Sequence, residues 1–493
     1  MPRLGFDEWL VMAVVLALFF EYPDDTLWAY HGFPIPNPTF VLVGAAVIGR
    51  AAFLALRGRF DLSKPNWREF TVIGLFAAYA ATSVLAALLG HSMQPPGKPL
   101  VLVSHLGQSI KTFAHFAYLG LMALVLGRLL TPALLRRAFA TFFVLAVAAA
   151  VIACLQAIDE NVLHTGATGA LHLVSRDSFQ GYLRPCSIFS EPALLGYYML
   201  LGVAVGLWLA AGSRSRWIWA GIGLCVVATL LGAAAGPAAV FFVGFLYLLW
   251  RAWRLLRRSW RELAMIAAVA AALLVFVPVG TTLSQKATGT WAAAGGAGGG
   301  NPAGGGKPAG GGKPAGGGNP AGGGKPAGGG KPAGGGNADR APASAVDEAW
   351  FRLQFDEASV KTWELSPLTG VGLGNTRYYN SSLIDLPYFT GNLPFQNVNA
   401  YLGVLAESGV FGLLLLATMM LALFLPLRRV RREGAWVTEV PFLLFIVACL
   451  IANLVAYPIF WFWVSARLAH LRQLEGARES VREHATLSEL RTA

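Results

Sequence analysis

The chain has 493 residues, of which 55% are hydrophobic and only 13% charged, with a formal net charge of +12 and a mean hydropathy of +0.55. A soluble domain carries about 25% charged residues, so half the charge of a water-facing surface is missing. That excludes a water-soluble enzyme and points to an all-α polytopic membrane protein. Four cysteines do not make a disulfide framework, because Cys154, Cys225 and Cys449 lie inside apolar runs and leave Cys186 without an evident partner.

Apolar runs of roughly the 20 residues a bilayer needs recur along the chain. They lie near 8–21, 38–56, 69–89, 109–130, 137–156, 192–211, 217–233, 236–250, 262–280, 398–425 and 437–455. The first run ends on Glu21 and lacks a small-residue cleavage site, so it reads as a span and not as a removable signal. The loops alternate in charge. One set holds Arg57, Arg59, Lys64 and Arg68, then Arg128, Arg136 and Arg137, then Arg214 and Arg216, then the basic run Arg251 to Arg261, then Arg428, Arg429, Arg431 and Arg432. By the positive-inside rule these loops face the cytoplasm and the N-terminus lies inside. The basic excess is therefore a topology signal, and no nucleic-acid partner is expected.

Residues 437–469 form one long apolar stretch interrupted by Pro458. A break there gives a short twelfth span near 456–469 and returns the chain to the cytoplasm; a single tilted helix would give eleven. The sequence favours about twelve. From Arg467 onward Arg and Glu alternate at helical spacing, which predicts a solvated amphipathic helix, with 470–493 as a cytoplasmic tail.

Two loops on the outer, periplasmic side are large enough for chemistry: 157–190, within the first nine spans (1–280), and 281–397, before the C-terminal spans at 398–469. The second contains a six-residue repeat, GGG-(N/K)-P-A, over 298–337, followed by a part expected to be ordered at 343–397. Glycine and proline at this density cannot bury a core, which predicts a disordered, weakly basic tether. Lys307, Lys313, Lys325 and Lys331 give it an alternative use, attraction of an acidic glycan or of lipid headgroups.

Three groups carry the chemistry. The first is RPCSIFSEPALLG, Arg184 to Gly196. Here Ser190 suits a helix N-cap, Glu191 complements the helix dipole and Pro192 fits the first turn; Arg184 is left either as an interface anchor or as a functional charge. The second lies after the tether: an amphipathic helical pattern with Trp350, Phe351 and Phe355 near one face, carrying Arg352, and then SPLTGVGLGN, Ser366 to Asn375. The phosphate-loop lysine is absent, so the glycines do not mark a nucleotide site; they suit a turn that brings backbone close to a ligand or to another span. The third is NVNAYLGVLAESGVFG, Asn397 to Gly412, with Asn399 and Tyr401 at the outer end of the tenth span. Glu407 lies about two turns deeper, where an ionised carboxylate needs a partner.

In this order the three groups resemble the O-antigen ligase and O-antigen polymerase superfamily, integral-membrane enzymes acting on undecaprenyl-linked glycans. The resemblance covers roughly residues 100–465, leaving out the tether and the tail, and FSEPALLG is more similar to the exopolysaccharide polymerase branch. It implies a bacterial inner-membrane enzyme with its site on the periplasmic face. Donor and acceptor are glycans on undecaprenyl pyrophosphate in membrane lipid, and a polysaccharide chain-length regulator is the usual partner. Ligases of the superfamily carry a His directly before the Asn of the third group; here that position is Val398. The departure favours polymerisation over transfer of the finished glycan to lipid A core or protein.

The transfer implied has an acceptor hydroxyl attacking the anomeric carbon while polyprenyl pyrophosphate leaves. A leaving pyrophosphate calls for arginine, whose planar fork pairs with phosphate oxygens, so Arg184 and Arg352 are the expected catalytic charges. Glu191 is either the base for the attacking hydroxyl or only a helix-cap residue. Lys111 and His115, four apart on the fourth span near Ser109, either line the glycan or lipid path or pair with Glu407. Arg176, Arg377, Asn399 and Tyr401 complete the candidate contacts. No metal-ligand spacing appears, so a metal-independent enzyme without a cofactor is expected. A flippase would show internal repeats and midplane charges in several spans, and neither is evident.

Overall fold

A computed structural model describes residues 5–19, 38–60, 66–89, 105–165, 167–170, 178–179, 182–183, 185–189, 192–213, 215–232, 259–276, 345–376, 399–425, 436–450 and 453–492, with single positions and short runs between 240 and 257 and at 379 and 383. The described elements are α1 (Phe6–Phe19), α2 (Pro38–Leu56), α3 (Trp67–Leu88), α4 (His105–Leu129), α5 (Pro132–Ile158), α6 (Pro192–Ala211), α7 (Arg216–Leu231) and α8 (Trp260–Phe276). They continue with α9 (Ala345–Leu365), α10 (Ala400–Phe424), α11 (Trp436–Ala448) and α12 (Pro458–Thr492). Among the described residues the only strands are the two-residue β1 (Ser178–Phe179) and β2 (Tyr182–Leu183), paired antiparallel in the first large loop. Five helical segments are long and apolar enough to cross a membrane: 67–88, 109–129, 132–163, 192–211 and 400–424. The repeat over 298–337 lies outside the described residues.

Helix ends follow local chemistry. Asn66 opens α3 with a capping box, its side chain accepting from Arg68 and Glu69 N–H while the Glu69 carboxylate takes the Asn66 N–H. Thr131 caps α5 with proline in the first position. The apolar stretch expected to span 437–455 instead ends its helix at Ala448; a short 3-10 turn, Leu454–Ala456, precedes a new helix that starts at Pro458. Proline is tolerated in a first turn because its missing N–H would have no helical acceptor there.

α12 is the pillar of the bundle. Trp461, Phe462 and Trp463 are all fully buried; Trp463 stacks on Phe139 of α5 at 5.2 Å, and Trp461 meets Phe76 of α3 at 5.4 Å. The expected solvated helix from Arg467 onward is corrected here. Arg467 is 1% exposed and Leu468, Ala469 and Leu471 are equally buried, so the amphipathic segment begins inside the protein. Charge alone suggested solvent, but the arginine stays inside because carbonyls and a carboxylate receive it. Its Nε donates to Leu423 O at the C-terminus of α10 (2.7 Å), its Nη1 to Thr438 Oγ1 (3.0 Å), and its Nη2 stands 3.6 Å from Glu439.

The same end of the bundle holds further ion pairs. Glu69, at the start of α3, is buried and receives Arg128 from the end of α4 at 2.7 Å and also Arg472 from α12; Arg68 pairs with Glu475. Gln473 adds a bond to Leu130 O at 3.1 Å. At the opposite end, where α3 finishes and α4 and α10 begin, the contacts are of another kind.

Candidate functional site

The second and third sequence groups meet there. Beyond α9 the chain turns through Ser366–Thr376 and packs into a kink of α10. The kink is at Gly409, whose φ of 64° and ψ of −166° interrupt the helix. In a continuous helix the carbonyls of residues 406 and 407 would accept from the N–H groups four residues on. Here they accept from the turn: Val371 N–H to Ala406 O at 2.9 Å and Gly372 N–H to Glu407 O at 3.0 Å. In return the Val410 N–H goes to Pro367 O at 3.0 Å. The two segments thus exchange backbone hydrogen bonds across the gap that the kink opens.

That exchange requires glycine on both sides. A Cβ on Gly409 would stand 2.1 Å from Leu368 O, and one on Gly370 would stand 2.3 Å from the Glu407 carbonyl carbon. Both have left-handed φ as well, at 64° and 67°, a region that costs any other residue energy. The glycines of SPLTGVGLGN therefore bring backbone against another span, one of the two uses their spacing suggested.

Side chains secure the rest of the clasp. Leu373 N–H donates to Ser83 Oγ of α3 at 3.2 Å, and Asn375 Nδ2 donates to Ser109 Oγ of α4 at 3.2 Å and to Val371 O at 3.0 Å. Thr376 Oγ1 donates to the Glu407 carboxylate at 2.7 Å. Asn375, Thr376 and Ser408 are fully buried, so this is a polar knot inside an apolar bundle, joining α3, α4, α9 and α10. Tyr79 of α3, also buried, lies within electrostatic reach of Glu407.

The first sequence group is held separately. Gln156 of α5 bonds the Ser187 backbone twice, accepting its N–H at 2.6 Å and donating to its carbonyl at 3.1 Å, while Ser187 Oγ donates to Ala149 O at 2.7 Å. Phe189 packs on Tyr198 at 4.5 Å. Nearby, Asp159 receives the Thr168 N–H (2.8 Å), the Thr168 hydroxyl (2.6 Å) and the Thr165 hydroxyl, which ties down the start of the first large loop.

Among the residues expected at a site, Arg184, Glu191, Arg176 and Arg377 lie outside the described residues. Arg352 is half-buried on α9, one turn before Asp356. Burial raises the Asp356 carboxyl above its ordinary range, and the Arg352 charge opposes that. Asn399 is the N-cap of α10, its side-chain oxygen accepting from Tyr401 N–H at 3.0 Å and Leu402 N–H at 3.2 Å. The Tyr401 hydroxyl turns inward to Ile446 O of α11 at 2.9 Å. Lys111 and His115 are half-buried, one turn apart on α4 below Ser109. Sequence reasoning missed Ser83, Thr376 and Gln156; neutral groups in helices and turns carry no signal until the fold supplies a partner. No protein-family model matches the chain, and no curated protein matches it.

Proposed function

We propose that the chain is a polymerase of undecaprenyl-pyrophosphate-linked oligosaccharide repeat units, acting at the periplasmic face of a bacterial inner membrane in exopolysaccharide, capsule or O-antigen synthesis. The observation that carries the reading is the clasp. Two of the three stretches that carry the resemblance to the polymerase and ligase superfamily are bonded to each other through backbone groups that their glycines leave accessible. In this reading about twelve spans place the N-terminus in the cytoplasm. The clasp end faces the periplasm and the ion-paired end faces the cytoplasm, in keeping with the basic loops.

The chemistry asks for fixed positive charge at the departing pyrophosphate, since stabilising charge that develops in the transition state is usually the largest catalytic contribution. Arg352 on α9 and Arg184 before α6 are assigned that role. The acceptor hydroxyl attacks the anomeric carbon, its proton passes to a base, a role assigned to Glu191 in the same sequence group as Arg184, and the bond to pyrophosphate oxygen breaks. Val398, in place of a histidine, favours polymerisation over ligation.

The deciding experiment sizes the glycan of a deletion strain on a gel beside the complemented strain. Single repeat units without long polymer are expected. Full-length polymer retained on its lipid carrier but missing from lipid A or protein makes the protein a ligase instead. Arg184→Ala and Arg352→Ala should each abolish product with membrane insertion intact, and normal product from both removes the assignment. Deletion of residues 298–337 should leave product unchanged.

A further inference from the structure

We propose that the corner where α1 begins and α2 ends binds the headgroup of an anionic phospholipid, with Arg57 and Arg59 taking the phosphate and the exposed apolar side chains beside them lying in the lipid. Nothing in this depends on the polymerase reading. α2, an apolar helix, need only end at a membrane surface.

α2 ends in a Schellman turn. Gly58 N–H donates to Ala55 O and Arg59 N–H to Leu54 O, both at 2.9 Å, with Gly58 at a φ of 64°. Phe60 then packs against the core. The backbone around Arg57 and Arg59 is thereby fixed, and both side chains stand exposed. Backbone N–H groups serve two of the last carbonyls of α2, so the guanidinium groups are not needed to cap them. Other arginines at this end are committed. Arg50 is held by Asp7 through two bonds, at 2.7 and 3.1 Å, while Arg128 pairs with Glu69, Arg137 with Glu8 and Arg68 with Glu475. Arg57 and Arg59 meet neither a carboxylate nor a carbonyl among the described residues.

Arg57 lies instead on an aromatic ring, its Cζ 4.3 Å from the centroid of Phe53. Stacking uses the face of a guanidinium and leaves its N–H edge free, and that edge is the part that meets phosphate oxygens two at a time. Charge alone would also suit free phosphate or an acidic protein, but the surroundings select lipid. Leu56, next to Arg57, is 90% exposed and Phe6 is 63% exposed, with Trp9 and Phe53 exposed beside them. Apolar side chains standing out at the level of free guanidinium groups fit the boundary between headgroups and hydrocarbon, where aromatic rings and basic residues collect. The pairing recurs along this rim, with Arg68 on Trp67 at 4.7 Å and Arg261 on Trp260 at 5.7 Å, both rings exposed. Arg57, Arg59 and Lys64 against the single Asp61 leave the stretch after α2 basic, which an anionic leaflet attracts.

The test titrates the purified full-length protein in detergent with dioleoylphosphatidylglycerol or dioleoylphosphatidylcholine and follows the first bound lipid by native mass spectrometry. Wild type should bind the anionic lipid at least about tenfold more tightly than the zwitterionic one. The double variant Arg57→Gln, Arg59→Gln should lose about 30-fold in affinity for phosphatidylglycerol, about fivefold for each arginine, with phosphatidylcholine binding unchanged. Arg57→Lys, Arg59→Lys should keep most of the affinity, and Phe53→Leu should weaken it about twofold by removing the ring under Arg57. Lys361→Gln, which removes an exposed charge from α9, should match wild type. Should the glutamine pair fail to accumulate, Arg57→Gln and Arg59→Gln made singly decide by the fivefold step. A double variant that binds phosphatidylglycerol as tightly as wild type overturns the proposal. So does displacement of the lipid by an excess of inorganic phosphate, because the arginines then take free phosphate. Unchanged lipid binding beside failure of the double variant to complement the deletion strain also overturns it, and assigns the corner to an acidic protein partner.

Discussion

The two ends of the bundle solve one problem, holding helices together around polar groups, by opposite means. At the end where α3 and α11 begin, full charges meet: Glu69 with Arg128 and Arg472, Glu439 with Arg467, Glu475 with Arg68. At the other end backbone meets backbone across two glycines, and the side-chain partners are mostly neutral: the Ser83 and Ser109 hydroxyls accept from Leu373 N–H and Asn375 Nδ2, and the Thr376 hydroxyl donates to Glu407. An ion pair tolerates some play because Coulomb attraction falls off slowly with distance. A backbone exchange whose glycines clear a carbonyl only for want of a Cβ tolerates none. The first arrangement suits a fixed anchor, and the second suits a place where direction matters.

The largest expected effect tests the charged end. Arg467→Ala leaves Glu439 buried without its cation and the last carbonyls of α10 without their donor, and removing one partner of a buried pair costs about 3–5 kcal/mol. Thermal unfolding of purified protein should show it, and Glu439→Gln in the Arg467→Ala background should recover part. A fall of less than about 1 kcal/mol, in the range of exposed pairs, would mean that water reaches the arginine. Next comes Gly409→Ala at the other end, where overpacking and a left-handed backbone together cost about 2–4 kcal/mol. Equal unfolding temperatures for Gly409→Ala and wild type would show that α10 can straighten and that the clasp is loose.

The helical, apolar character of the fold was legible in the sequence, and the reason is hydropathy, although only five helical segments among the described residues are long and apolar enough to cross a membrane. α2 and α6 coincide with the apolar runs at 38–56 and 192–211, and of the two α6 is long and apolar enough to cross a membrane. Pro458 announced the break before α12, although the helix before it stops earlier, at Ala448. Glu407 stood out as a deep charge in need of a partner, and the glycines of SPLTGVGLGN stood out as a close approach. The partner itself was not legible. Thr376 is 31 residues away, and which hydroxyl meets a carboxylate depends on how helices rotate about their axes, which hydropathy does not encode. Arg467 was misread for the same reason: an arginine followed by a mixed-charge helix looks solvated until Leu423 and Thr438 are placed around it.

The smallest expected effect is a pH dependence at the glycine end, and it sharpens the comparison because it concerns a carboxylate whose burial outweighs its cation. Asp356 lies half-buried on α9 and its carboxyl is raised by burial, with Arg352 only partly opposing. The folded protein therefore binds this proton more tightly than the unfolded chain, whose aspartates titrate near about 3.9. The sign follows: stability from this residue is greatest below that value and falls as pH rises through the raised folded pKa, because the folded state must then carry the buried charge. Asp356→Asn should flatten this part of the profile and leave the protein as stable as wild type or slightly more so at pH 7, by under about 1 kcal/mol given the partial exposure. Arg352→Ala should steepen it, since the opposing charge is gone. Unfolding temperatures of the three proteins from pH 4 to pH 7 measure this directly. Parallel profiles for wild type and Asp356→Asn would show that Arg352 neutralises Asp356 fully, as the arginines neutralise Glu69. An arginine committed to that pair would be withdrawn from binding pyrophosphate, so the same curves bear on whether Arg352 is available for the role assigned to it.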